Sequence, residues 1–279
     1  METMITSPII LVDGSSYLYR AYHGLPPLTT SKGQTTHAIR GVISMLKKLL
    51  KDYQPSHMAV VMDSKGKTFR HGLYREYKAH RPAMPEDLAS QIPPLKEAIV
   101  RMGLAFIEMA GVEADDVIGS LAKEITQAGK WQCLISTGDK DLAQLVTPSV
   151  SLINTMDQLY LDEAGVYKKF EVTPQQMIDL LALQGDKSDN IPGLPGVGEK
   201  TAKALIFAFG SVENIYQNLD KVSSIKIRGA AQLQNKLIEH RELVNLSYLL
   251  ATIRTDLVAD SFDIHELKIK EPEAPELLA

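Results

Sequence analysis

Nine carboxylates occur in five short groups along the sequence, each placed where a strand is expected to end or a helix to begin. Acids at the C-terminal ends of parallel strands open into the same crevice. Carboxylates crowded together repel each other and are driven toward protonation, whereas divalent cations such as Mg²⁺ remove the repulsion and prefer oxygen ligands. The pattern therefore predicts metal-dependent chemistry on phosphate esters. The nine are Asp13, Asp63, Glu113, Asp115, Asp116, Asp139, Asp141, Asp186 and Asp189.

Each of these acids alone has an ordinary structural explanation. Aspartate is a favoured helix N-cap, and acids in a first helical turn complement the helix dipole. The combination of five groups is what favours a site. Glu113 and Asp116 are three residues apart, as are Asp186 and Asp189, so each pair is expected on one helical face, where like charges are unfavourable. Two cations held together are the common arrangement for cutting phosphodiesters.

The composition restricts the class of protein without identifying it. The 279 residues are 44% hydrophobic and 23% charged, with a net charge of −4, which is ordinary for a soluble globular chain. The single cysteine, Cys133, excludes a disulfide framework and fits a reducing compartment. No secretory signal is recognisable, and no apolar run reaches the roughly 18 residues of a membrane span. We therefore expect a cytoplasmic protein.

The first part of the chain alternates strand-like and helix-like patterns. Short apolar runs predict buried strands, and apolar residues at helical spacing predict amphipathic helices between them. This alternation predicts an α/β fold with a parallel sheet. The predicted strands are 9–12, 58–62, 104–107 and 133–135, and the predicted helices are 36–53 and 113–128.

Helical periodicity dominates the second part. It covers 173–183, resumes after a Gly/Pro-rich stretch and returns at 230–240, while the apolar run 243–253 is expected to pack on the core. We accordingly predict an α/β core over residues 1–170 and a helical subdomain over 171–262. The Pro- and Glu-containing end, 263–279, is predicted to be a solvated tail or the start of a linker.

A basic segment follows the second group of acids. Residues 64–81 carry six lysines and arginines against one acid, Glu76, with Phe69, Tyr74 and Tyr77 interleaved. For a charge run alone, a solvated helix face would be the favoured explanation. Because the run begins directly after Asp63, we instead predict a phosphate-binding arch, at about 64–90, that offers stacking faces for unpaired bases.

The third motif is typical of a helix-hairpin-helix turn. Two glycines allow a backbone approach to phosphate, and the next helix directs its N–H groups at the same place. Such contacts bind DNA without reading its sequence. The motif is Leu194-Pro195-Gly196-Val197-Gly198-Glu199-Lys200-Thr201-Ala202.

Together these residues resemble the 5′-nuclease family, which includes the 5′→3′ exonuclease domain of bacterial DNA polymerase I and the flap endonucleases. The resemblance extends from about residue 9 to residue 253. It rests on the stretch from Leu11 to Arg20, on 66–70, on 77–82, on the acid groups and on 185–202. It implies a PIN-like nuclease domain followed by a helix-hairpin-helix (helix-3-turn-helix) subdomain.

The resemblance also implies a role for each candidate residue. Asp13, Asp63, Glu113, Asp115 and Asp116 would serve one metal site, and Asp139, Asp141, Asp186 and Asp189 a second, partly through water. Lys78, Arg81 and Arg20 would contact the reacting phosphate. DNA-binding residues would be Lys67, Arg70, Tyr77, Gly196, Val197, Gly198, Lys200 and Thr201. The implied cofactors are two or more Mg²⁺ ions, replaceable by Mn²⁺, with K⁺ at the hairpin near Val197.

The function that follows is hydrolysis of DNA phosphodiesters at a 5′ end, nick or 5′ flap, with RNA-primer hybrids as further substrates. A bacterial, nucleoid-associated location is implied, and a polymerase domain beyond residue 279 is left open. So are the preference for exonuclease or flap cleavage and the number of metals. The pattern also predicts that replacing Asp13 or Asp116 by alanine abolishes cleavage with the fold intact.

Two other classes of protein were compared with this pattern. A phosphatase of the haloacid-dehalogenase type needs a second aspartate two residues after Asp13, where Ser15 stands. A non-catalytic DNA-binding scaffold would keep the basic segment and the hairpin while losing acids, but all nine acids are present.

Overall fold

The computed structural model of the chain describes residues 7–127, 129–155, 159–227, 229–258 and 262–273. Within these residues, six strands form one sheet in the spatial order β3-β2-β1-β4-β5-β6. The first five are parallel, and β6 runs antiparallel to β5 at the edge. The strands are β1 (Ile9–Asp13), β2 (Met58–Met62), β3 (Ala105–Glu108), β4 (Cys133–Ser136), β5 (Val150–Asn154) and β6 (Leu159–Leu161).

The register of the central strands places the acids at one edge of the sheet. Leu11 of β1 pairs with Ala59 of β2 on one side and with Ile135 of β4 on the other. These three strands are buried along their whole length, as parallel strands covered on both faces are. The predicted parallel α/β sheet is therefore confirmed. Strands β5 and β6 were not predicted, because the polar Ser151 interrupts β5 and β6 has only three residues.

Helices cover both faces of the sheet. One core cluster joins α1, α2 and α5 to one face, and a second joins α6 and the helical part of the chain to the other. Helix α1 follows β1 directly, because the Asp13 side chain accepts a hydrogen bond from Ser16 N–H and caps it. The helices are α1 (Gly14–Gly24), α2 (His37–Tyr53), α3 (Phe69–Leu73), α4 (Glu86–Ala89), α5 (Ile92–Arg101) and α6 (Ala114–Gln127).

The second part of the described chain is helical, as predicted. Helix α13 packs along α8, and the Ser247 hydroxyl of α13 accepts the Gly193 N–H at 3.0 Å. The predicted helix 173–183 is divided into a 3₁₀ turn, Pro174–Gln176, and α8. The helices are α7 (Glu163–Phe170), α8 (Met177–Gln184), α9 (Glu199–Phe209), α10 (Val212–Gln217), α11 (Leu219–Val222), α12 (Ala230–Glu239) and α13 (Arg241–Ala251). None of the described helices has the length and apolar character that a membrane span requires.

The prediction of a solvated tail over 263–279 is wrong for the part that the structure describes. Leu267 is buried, and Ile269 N–H donates to the Ser56 carbonyl at 3.0 Å. Lys270 lies against Gly103, whose φ is +82°, and a Cβ built there would be 2.2 Å from the Lys270 carbonyl oxygen. A glycine is therefore required at this contact. The rest of the predicted tail, 274–279, lies outside the described residues.

Candidate active site

The C-terminal edge of the sheet carries the acids. Asp13 ends β1, Asp63 follows β2, and Asp139 follows β4 after a short turn. Asp63 accepts a hydrogen bond from Ala114 N–H at 2.8 Å, which brings the start of α6 and its Asp115 to the same place. The loop between α8 and α9 adds Asp186 and Asp189 from the helical part. The crevice predicted from the sequence is therefore present, and two structural units build it.

Asp13, Asp115 and Asp141 form no ion pair with a lysine or arginine among the described residues. Burial raises the pKa of Asp13 to about 7, with Asp63 and Asp139 adding to the rise. The pKa of Asp115 is raised well above its usual value by burial and then by Asp139 and Asp13. Burial, together with the charges of Asp139 and nearby acids, raises the pKa of Asp141 to about 8. These acids are thus held in mutual repulsion.

A second set of acids is neutralised by the basic segment. The ammonium group of Lys78 lies 3.0 Å from Glu113 and 3.4 Å from Asp189. Burial alone would lower the pKa of Lys78, but the two carboxylates outweigh burial and raise it. Arg81 forms an ion pair with Asp189 and donates through Nε to the Ser188 carbonyl at 3.0 Å. Lys78 and Arg81 therefore lie in the crevice, as the resemblance implied.

Asp116 and Arg70 form a buried ion pair with each other. The guanidinium donates to both Asp116 oxygens at 2.6 and 2.7 Å, and Asp116 is completely buried. Arg70 also donates to the carbonyls of Leu250 and Thr252. With 2% of the residue exposed, Arg70 cannot reach DNA in this structure, so the predicted DNA contact is wrong. Both Asp116 oxygens accept hydrogen bonds from Arg70, and its predicted metal ligation stays a prediction.

Tyr77 is buried as well, which contradicts its predicted contact with an unpaired end of DNA. Its hydroxyl lies 3.0 Å from Glu113 and 3.0 Å from Asp189, and only 2% of the residue is exposed. Burial, followed by the charge of Glu113, raises the pKa of the phenol. The side chain therefore orders the acids instead of offering a stacking face. Lys67, by contrast, is exposed as predicted for a surface contact.

The expectation that two pairs of acids each share one face of a helix is wrong. Glu113 precedes α6, so it does not share a helical face with Asp116, and Asp186 and Asp189 lie in a turn. The turn is fixed by Asp186, whose Oδ1 accepts hydrogen bonds from the backbone and hydroxyl of Ser188. Glycine and serine next to aspartate in Gly185-Asp186-Lys187-Ser188 were the sequence signal for this turn.

Several residues of the site were missed from the sequence. Lys140 forms an ion pair with Asp186 at 2.6 Å, and Thr68 donates to Glu113 at 2.9 Å. Asn190 donates to the Glu76 carbonyl at 2.6 Å, and Lys78 N–H donates to the Asp189 carbonyl at 2.9 Å. Lys78 and Asn190 both have φ near +55°, a conformation that non-glycine residues seldom adopt. The basic segment is thus fastened across the crevice to the loop that holds Asp189.

Arg20 lies at the rim of the crevice. It projects from α1 and donates to Asn154 at 3.0 Å. A Cβ built on Gly138 would be 1.9 Å from its Nη2, so the glycine before Asp139 makes room for the arginine. The guanidinium is therefore beside the turn that carries Asp139.

The acids of the crevice are chemically suited to binding divalent cations. Asp141 Oδ1 is buried without a hydrogen-bond partner, and Asp141, Asp13 and Asp115 all have raised pKa values. An uncompensated buried carboxylate oxygen is costly, and a hard cation would satisfy it. Within the described residues, no group of three or more His, Cys, Asp or Glu side chains is arranged so that it could hold a metal ion. Lys78 and Lys140 neutralise Glu113 and Asp186 through ion pairs.

The hairpin precedes α9 as predicted. Gly196 has a φ of +75°, so its conformation favours glycine, and Lys236 of α12 donates to the Pro195 carbonyl at 3.1 Å. Gly198 has an ordinary φ, and a Cβ there meets nothing within 4 Å. The fold therefore does not require a glycine at position 198, and a glycine there would matter only where a ligand approaches the backbone closely. Lys200 is exposed, Thr201 half-buried and Val197 buried.

Comparisons with known proteins agree with this geometry. Residues 8–171 match the 5′-3′ exonuclease N-terminal resolvase-like domain, and residues 172–275 match the 5′-3′ exonuclease C-terminal SAM fold. The chain belongs to the 5′-3′ exonuclease family. This confirms both the α/β-plus-helical architecture and the resemblance of the sequence.

The similar proteins include a long DNA polymerase and an exonuclease of about the same length as this chain. The chain is 53% identical to DNA polymerase I of Pseudomonas aeruginosa over 99% of its own length, and it spans 30% of that polymerase. It is 44% identical to a 5′-3′ exonuclease of Buchnera aphidicola subsp. Baizongia pistaciae, covering 89% of this chain and 82% of that protein.

A solved structure shows the same fold. The bacteriophage T5 flap endonuclease, in a pseudo-enzyme–product complex with DNA and metal ions, has a TM-score of 0.69 and 25% identity. The match covers 88% of this chain and 89% of that one.

Proposed function

We propose that this chain is a divalent-metal-dependent nuclease that hydrolyses DNA phosphodiesters at 5′ ends and 5′ flaps. The observation that carries the proposal is the crevice itself, in which repelling carboxylates stand beside Lys78 and Arg81. Membership of the 5′-3′ exonuclease family supports it. RNA-primer hybrids and a fused polymerase domain, in a bacterial nucleoid setting, belong to the same proposal.

The residues divide the work of the reaction between them. Asp13, Asp63, Asp115, Asp139 and Asp141 would hold Mg²⁺ or Mn²⁺, together with Asp186 and with Glu113 and Asp189 once Lys78 and Arg81 turn to the substrate. Two bound ions would supply an activated water and stabilisation of the leaving oxygen. The cations of Lys78 and Arg81 would face the charge that develops on the scissile phosphate. K⁺ at the hairpin remains a further part of the proposal.

The test is cleavage of a 5′-labelled flap duplex, read as product length, with Mg²⁺ and with excess EDTA. We expect products only with the metal, and restored activity when Mg²⁺ or Mn²⁺ exceeds the chelator. Undiminished cleavage in EDTA would refute the metal-dependent part of the proposal. Product lengths of one nucleotide or of a whole flap distinguish exonuclease from flap-endonuclease action.

Replacing Lys78 or Arg81 by alanine is expected to slow the chemical step more than it weakens binding. Loss of one positioned group at the reacting charge typically costs about 10²- to 10³-fold in rate. Single-turnover rates at saturating DNA, together with affinities measured in Ca²⁺, separate the two effects. Lys65→Ala, at an exposed lysine of the same segment, is the control. A full rate at saturation for both variants would make this segment a docking surface only.

Lys200→Ala is expected to show the opposite pattern. The exposed lysine stands at the start of α9 beside the hairpin, so its loss should weaken duplex binding and lower the salt slope by about one unit. The single-turnover rate at saturating DNA should stay near that of the wild type, because the contact exists equally before and in the transition state.

Lys221→Ala is the matched control for Lys200, because this lysine belongs to the same helical part and is bonded to Asn218. It should leave both quantities unchanged. An unchanged salt slope with a collapsed rate for Lys200→Ala would place Lys200 at the reacting phosphate instead.

A further inference from the structure

Thr137 stands between the acids contributed by two neighbouring strands. It follows β4 and is 4% exposed, and its N–H donates to the Ile153 carbonyl of β5 at 3.0 Å. Its hydroxyl lies 2.7 Å from Asp13 Oδ2 and 2.9 Å from the backbone nitrogen of Asp139. One side chain therefore joins the acid at the end of β1 to the acid that follows β4.

The direction of these two hydrogen bonds is fixed by their chemistry. A backbone N–H can only donate, so the Thr137 oxygen accepts from Asp139, and the hydroxyl proton is left to point at Asp13. The other Asp13 oxygen accepts the Ser16 N–H at 2.9 Å. Both oxygens of this carboxylate are thus held by donors, and the group cannot turn without breaking one of the two bonds.

We propose that Thr137 is a positioning residue that holds Asp13 in the orientation that binds a divalent ion. Through Asp139, it also keeps the two groups of acids in a fixed relation. The inference rests on the proposed function of the crevice as a metal site. Hydrogen-bond partners of ligating carboxylates orient those ligands, and their loss typically lowers metal affinity about 10- to 100-fold.

The experiment measures Mn²⁺ binding to the metal-free full chain, without DNA, by titration calorimetry and by the Mg²⁺-induced rise in Tm. Thr137→Val keeps the volume and removes the hydroxyl, whereas Thr137→Ser keeps the hydroxyl. We expect affinity to fall about 10- to 100-fold for valine and to stay close to that of the wild type for serine. Thr137→Ala is a second hydroxyl-free variant in case valine disturbs folding.

Thr126→Val provides the matched control. The Thr126 hydroxyl donates to the Ala122 carbonyl at 2.8 Å, near the end of α6 away from the acids. This variant should bind Mn²⁺ as the wild type does. Wild-type affinity in both hydroxyl-free variants, or an equal loss for serine, would overturn the role of the Thr137 hydroxyl. A wild-type chain that binds no Mn²⁺ would instead overturn the proposed metal site, and this inference with it.

Discussion

Asp141→Asn is expected to stabilise the metal-free protein at pH 8.5 while weakening its response to Mg²⁺. Burial and the neighbouring acids raise the pKa of Asp141 from 3.8 to about 8. Its charged form is therefore disfavoured in the folded state. The resulting penalty is absent below about pH 4, grows as pH rises toward 8, and stays constant above that value. Asparagine has the same shape without the charge and escapes the penalty.

Thermal unfolding in EDTA between pH 4.5 and pH 8.5 measures this effect. The Tm of the variant and of the wild type should coincide at the acid end, and the variant should be at least about 5 °C higher at pH 8.5. Added Mg²⁺ should raise the Tm of the wild type more, because the variant has lost one anionic ligand. Asp220→Asn, at an exposed acid in α11, should show no such trend. An equal Tm difference at both pH values would contradict the repulsion argument.

Arg70→Ala and Asp116→Ala are each expected to destabilise the fold strongly. Removing one partner leaves the other charge buried and unpaired, which typically costs about 3–5 kcal/mol. Arg70 also loses its bonds to the carbonyls at the end of α13, so the sheet part and the helical part should separate more easily. This replaces the expectation that Asp116→Ala leaves the fold intact. Urea unfolding of the metal-free protein gives the two free energies.

The double variant Arg70→Met/Asp116→Leu tests whether the loss comes from an unpaired charge. It should lose less stability than the sum of the single changes, since no buried charge remains. Lys48→Met removes a comparable ion pair with Asp52 at 2.9 Å on the surface, and it should leave stability unchanged within error. Single variants as stable as Lys48→Met would show that the buried pair contributes little.

Local pattern was enough to predict the sheet and the place where the acids gather. Fully buried parallel strands are continuous apolar runs, and Ile9–Asp13 and Met58–Met62 are such runs ending at or just before an acid. The hairpin could also be predicted from the local sequence, and its Gly196 has a positive φ. Strand β5 was not predicted because the polar Ser151 interrupts its apolar run, and the packing of Leu267 depends on distant partners.

The sequence by itself determined that nine acids would meet at one edge of a parallel sheet beside a basic segment. Only the tertiary structure decided which acid meets which cation. Arg70 is 46 residues from Asp116 and 180 residues from Leu250, so nothing in its own neighbourhood predicts that it is buried. Asp141, by contrast, has no ion-pair partner in the described part of the chain: burial and the neighbouring acids raise its pKa despite the nearby charge of Lys140, and its Oδ1 has no hydrogen-bond partner. The positions of the strands follow from the local sequence of apolar residues. Whether a carboxylate is paired or repelled depends on which charged side chains the fold brings within a few ångströms of it.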